Sequence, residues 1–178
     1  RRVLFRSTHV GLRAVVEACE ATGRDDIEIL VRAWPLEWVN GAPMEREKVE
    51  HHAVDLRAQV SPEMFTHIAE PFPASTIETL ALVARAYTTS PARGLRASLL
   101  VRDALFERGL DTSDRAVLDS IAGELGVGMP TDDDRERVRL DWEEGRTRGV
   151  LGSPHFFCGD AGVFCPSLDI SRDPETGL

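Results

Sequence analysis

The sequence predicts an α/β fold in the order helix, strand, long helical block, helix, hairpin. Three observations carry that expectation. Leu12, Val15, Val16 and Cys19 recur at helical spacing. IEILVRAW (27–34) is a β-rich run too short for a helix. The last fifth of the chain changes from charged helical text to aromatic, β-branched and glycine-rich text.

Residues 9–22 read as a helix with one buried stripe, stopped by Gly23. The strand 27–34 lies between Asp25-Asp26 and Pro35, and its near-continuous apolar character predicts a largely buried position. PLEWVNGAP then reads as a loop. From Pro43 to Gly145 nearly everything is helical. Ile77, Leu80, Ala81 and Ala84 form one stripe, and Val117, Leu118, Ile121, Ala122 and Leu125 another. Thr131 and Asp134 have capping-box spacing ahead of a helix over about 132–146, polar except for Val138 and Trp142. GVLGSPHFFCGDAGVFCPSLDI (149–170) predicts two short strands joined at Gly159–Gly162.

Composition narrows the function classes. The 178 residues suit one domain, or a domain with an insertion, with a real core. A net charge of -9 opposes binding to a phosphate backbone, so no nucleic-acid partner is expected. No apolar stretch nears the roughly 18 residues of a membrane helix, so no membrane partner is expected either. Lys48, Asn40 and Tyr87 are each the sole residue of their type, the bias of a GC-rich bacterial gene. Cys19, Cys158 and Cys165 form no C-x-x-C, and their odd number argues against a disulfide scaffold, which makes a reducing cytoplasm the default compartment.

Gly152-Ser153-Pro154-His155 is the most informative stretch. Local sequence leaves Pro154 open between a trans edge-strand start and a cis bond; a cis bond would turn the Ser153 main chain outward toward an extended substrate.

Residues 8–42 and 140–165 resemble the DsbA-like thioredoxin superfamily. GVLGSPHFF resembles its cis-proline loop and strand, THVGLRAVVEA the helix after its active-site motif, and RAWPLEWVNG its second core strand and following loop. The resemblance implies a thioredoxin-like core interrupted by a long α-helical insertion: first half 8–42, insertion 43–139, second half 140–178. It also implies a cis Pro154. The substrate-binding candidates are Gly152, Ser153, Pro154, Trp38 and Asn40, with Trp34 and Trp38 equally readable as packing residues.

One departure is severe. The family carries a C-x-x-C, or a variant with one Cys or Ser, just before the first helix, where the helix dipole and free N–H groups stabilise a thiolate. Here RRVLFRS occupies that place, and the catalytic residue is unknown. The seven residues back-translate in frame into the end of a common sequencing adapter, so residues 1–7 are expected to be non-native and native text to resume at Thr8. The polar end DISRDPETGL predicts that the closing helix is lost as well. A missing first strand, next to 27–34 in the core sheet, would leave ladders unpaired and favour aggregation.

The function implied for the parent protein is thiol–disulfide exchange, with disulfide- or thiol-bearing proteins as partners and no cofactor; the fragment itself is expected to be inactive. One alternative is a kappa-class glutathione transferase or 2-hydroxychromene-2-carboxylate isomerase-like enzyme, with glutathione as the ligand. Another is a nucleophile-free peptide-binding module. His9 reads either as an auxiliary group tuning a thiolate or as an exposed helix-start histidine. Cys158 and Cys165 read either as a pair across the hairpin or as small buried hydrophobes. His155 with these cysteines gives a zinc-like spacing lacking a fourth ligand, so no metal is expected. Cys19 reads as a core thiol, and His51 with Asp55 as a solvated i, i+4 pair.

Overall fold

The computed structural model describes residues 5–59 and 61–164. Among these the order is α1 (Phe5–Ala21), α2 (Leu36–Asn40), α3 (Arg46–Gln59), α4 (Ile77–Tyr87), α5 (Pro91–Phe106), α6 (Arg115–Leu125), α7 (Asp132–Thr147), β1 (His155–Cys158) and β2 (Ala161–Phe164). The result is a helix-rich α/β chain with a small two-stranded sheet. Residues 1–4 of the amino-terminal prefix and all of 165–178, Cys165 included, lie outside the described residues.

Local sequence chemistry sets the helix ends. Ser90 accepts the Arg93 N–H at 3.2 Å and Pro91 opens α5, where a missing N–H costs nothing. Asp114 accepts the Ala116 N–H at 2.7 Å to start α6, and Gly126 at φ 64° ends it. The Asp134 carboxylate accepts both the Thr131 N–H (2.9 Å) and its hydroxyl (2.8 Å), as the capping box requires.

α5 runs between two apolar clusters. Its carboxyl-terminal Leu105 and Phe106 join Val10, Leu36, Val49, Leu56 and Phe65, which gathers α1, α2, α3 and the 61–69 segment. Its Ala97, Val101 and Ala104 join Leu82, Val83, Leu118 and Ile121 of α4 and α6. A third, smaller cluster of Ala33, Leu80, Ala81 and Val138 fixes residue 33 against α4 and α7. The stripe expected on α6 is therefore a face that packs, whereas α4 packs Leu82, Val83 and Ala86 as well as Leu80 and Ala81 of its expected stripe.

Three expectations are corrected. Residues 27–34 run without turn or bend, but they join no ladder, because no second strand among the described residues reaches them. Nor is the run largely buried: Ile29, Val31 and Ala33 turn inward, whereas Glu28, Leu30 and Arg32 are exposed. Side chains do the work of a neighbouring strand along one edge, where the Val31 N–H donates to Tyr87 Oη at 2.7 Å and the Ala33 N–H to Asp141 Oδ2 at 2.8 Å. Second, the 35–43 loop contains the short helix α2, led by Pro35 and closed by Gly41 at φ 70°. Third, the hairpin turn is the pair Gly159-Asp160, and its register places Ala161, not Cys165, opposite Cys158.

Candidate functional site at the start of β1

α1 brings Thr8 to the loop before β1. There the Thr8 Oγ1 and Ser153 Oγ share a short hydrogen bond across 145 residues of sequence. Gly152 and Pro154 are buried on either side, Ser153 is half-buried, and the Ser153–Pro154 peptide bond is cis. Neither the N–H nor the C=O of Ser153 has a main-chain partner among the described residues. The junction therefore offers a hydroxyl pair beside unused main-chain donor and acceptor groups.

His9 is not the exposed helix-start residue that was one of its two readings. Its side chain is 0% exposed, edge-on to Phe65 and tilted against Phe106 at centroid distances of 5.5 and 5.3 Å. His9 Nε2 meets Glu107 Oε1 at 2.8 Å, while Nδ1 has no partner among the described residues. Burial pushes the His9 pKa down, more than the Glu107 carboxylate draws it up. The neutral imidazole thus donates from Nε2 and anchors the turn of α1 that carries Thr8.

Beyond Ser153, one face of the hairpin is aromatic. His155 stacks on Phe157 at 4.4 Å, Phe164 meets His155 edge-on at 6.0 Å, and the Arg148 guanidinium covers Phe157 at 4.0 Å. Arg148 Nη2 also donates to the Gly159 carbonyl at 2.9 Å. Gly162 faces Phe157, and a Cβ there would stand 2.8 Å from that ring. Burial, then the charge of Arg148, lowers the His155 pKa.

Trp38 and Asn40, expected near the same groove, lie on α2. The Trp38 ring is edge-on to Trp142 of α7 at 5.4 Å, and Asn40 is exposed with no partner among the described residues. Trp34 packs over Gly145, where a Cβ would stand 2.7 Å from the indole. These tryptophans join α2 and the 27–34 run to α7. Cys19, half-buried on α1, and Cys158, exposed at the end of β1, are free thiols. Helical and strand rises put each roughly 16 Å along the chain from Thr8 and Ser153 respectively. Among the described residues no group of three or more His, Cys, Asp or Glu is placed to hold a metal ion, and no helix is long and apolar enough to cross a membrane.

A cleft of about 420 Å³ opens elsewhere, between residues 28–33, α4 and α7, with Leu30, Val83, Leu140 and Asp141 among its walls; Ser153 is not one of them. The structure brings Thr8, which the sequence analysis did not single out, against Ser153 of the expected Gly152-Ser153-Pro154 loop. Glu107 was missed as well, and the sequence holds no signal for it.

No family model matches the chain, and no curated protein matches it. Among solved structures it is similar to that of a 2-hydroxychromene-2-carboxylate isomerase, with a TM-score of 0.65 and 18% identity, covering 89% of this chain and 82% of that one. At that identity the likeness is one of fold alone.

Proposed function

We propose that this chain binds a thiol-bearing ligand of the glutathione class where α1 meets the 152–154 loop, and that the Thr8–Ser153 hydroxyl pair holds the sulfur as a thiolate. The carrying observation is that hydrogen bond. When buried Thr8 donates to Ser153, the half-buried Ser153 keeps its own O–H for a sulfur anion. The ligand's thiol proton leaves to solvent, and the N–H and C=O of Ser153, which have no main-chain partner among the described residues, are the groups an extended tripeptide would pair with. The stacked Arg148 adds a positive charge further along the same loop and hairpin.

This favours the glutathione-dependent isomerase or kappa-class transferase reading over thiol–disulfide exchange by this chain. The similarity to an isomerase structure supports the same choice.

Calorimetric titration with glutathione tests the proposal. Saturable binding is expected, weakened about tenfold by Ser153→Ala and similarly by Thr8→Val, the loss of one hydrogen bond to a charged group. No binding by the wild-type chain, or binding by both variants as tight as the wild type's, overturns it.

A further inference from the structure

We infer that residues 28–32 form a self-complementary edge through which two copies of this chain pair, antiparallel, about a two-fold axis at Leu30. The inference rests on the 27–34 run alone and is independent of the ligand proposed above.

One edge of the run is already satisfied. The main-chain groups of Ile29, Val31 and Ala33 point to Tyr87 and Asp141, which bond them through side chains. In an extended run the groups of the alternate residues point the opposite way. Those of Glu28, Leu30 and Arg32 have no partner among the described residues, and the largely exposed Arg32 guanidinium also reaches Asp141 Oδ1 at 3.4 Å. Their side chains are exposed, Leu30 to 46%, and flanked by Ile27 at 43%. Neither proline nor lysine interrupts the run, and its edge charges are one acid and one base, Glu28 and Arg32.

The order of the side chains identifies the occupant. Glu28 and Arg32 lie two residues on either side of Leu30. Antiparallel pairing centred on Leu30 sets it opposite its own copy, Glu28 opposite the copy's Arg32, and Arg32 opposite the copy's Glu28. The three facing pairs are then all of the hydrogen-bonded kind, each exchanging two N–H···O=C bonds through the unpaired groups. Both charge pairs are attractive, and the leucines meet on the exposed face. A two-fold interface closes at the dimer and does not propagate.

Sedimentation equilibrium of the full chain over a concentration series tests this. The wild type is expected to be a monomer–dimer system. Glu28→Arg sets like charges opposite each other at both pairs and is expected to weaken dimerisation about tenfold or more. Arg32→Glu would also set a second carboxylate beside Asp141, so the companion variant is Glu28→Gln, which removes the attraction without adding repulsion and is expected to weaken dimerisation less than Glu28→Arg does. Glu28 has no side-chain partner among the described residues, so its variant is not expected to disturb the fold. A wild type that stays monomeric or grows beyond a dimer overturns the inference. So does a Glu28→Arg chain that dimerises as tightly as wild type, or a Glu28→Gln chain that is weakened as much as Glu28→Arg.

Discussion

His9 Nε2 and Glu107 Oε1 stand 2.8 Å apart with the imidazole wholly shielded from solvent, and this contact ties the turn of α1 that carries Thr8 to the end of α5. Glu107 is the hub. Its carboxylate also accepts the Phe65 N–H at 2.9 Å, the Thr66 N–H at 3.0 Å and the Thr66 hydroxyl at 3.0 Å. It thereby holds Phe65 at φ 62°, unusual for a residue with a Cβ.

Removing the hub should be costly. Glu107→Ala strands the Phe65 N–H and the buried His9 donor, and we expect a loss of about 3 kcal/mol of stability in denaturant unfolding. An equal midpoint for variant and wild type would show that the carboxylate does not hold the loop.

The same pair sets a pH dependence. His9 titrates in the folded chain below its ordinary 6.5 because of burial, so between its folded value and 6.5 the unfolded chain binds more protons. Stability is full above 6.5 and falls as the pH drops below it. Burial acts to raise Glu107, but the N–H donors of Phe65 and Thr66, with His9, outweigh it and hold the carboxyl below its ordinary 4.5. Its contribution is present above 4.5 and is lost on further acidification. Unfolding midpoints taken from neutral to acidic pH should decline in these two stages, and His9→Phe should remove the first.

Gly94 should resist substitution. A Cβ there would stand 2.2 Å from the Tyr87 ring, whose hydroxyl bonds the Val31 N–H. Gly94→Ala is expected to displace that ring, to cost about 1–3 kcal/mol, and to speed hydrogen exchange at the Val31 amide. Unchanged exchange at Val31 would separate Tyr87 from the edge it bonds.

The exposed thiol should be a bystander. Cys158 lies at the turn end of β1, so Cys158→Ser should leave glutathione affinity within about twofold of wild type, well short of the loss of a charged hydrogen bond. A larger loss would relocate the sulfur site to the hairpin tip.

The helices were legible where apolar spacing and caps coincide, as with Thr131 and Asp134 or with Leu118, Ile121, Ala122 and Leu125. Local composition left the Ser153–Pro154 bond open between cis and trans, and its cis form was legible only through the family resemblance of GVLGSPHFF. The 27–34 run has strand composition, yet a strand needs a partner, and sequence pattern says nothing of whether one is in reach. His9 was ambiguous because burial is decided by Phe65, Phe106 and Glu107, all more than fifty residues away in sequence. Trp38 suited a groove and a packing role equally; its partner Trp142 lies on a helix whose remaining surface is almost all charged.

The most direct test of the central claim is the thiol pKa of bound glutathione, followed by thiolate absorbance across pH at saturating protein. With the Ser153 hydroxyl donating to sulfur, the bound thiol should titrate about one unit or more below a free thiol near 8.5, and Ser153→Ala should return it toward that value. A bound thiol that titrates like the free one in both proteins would contradict the account.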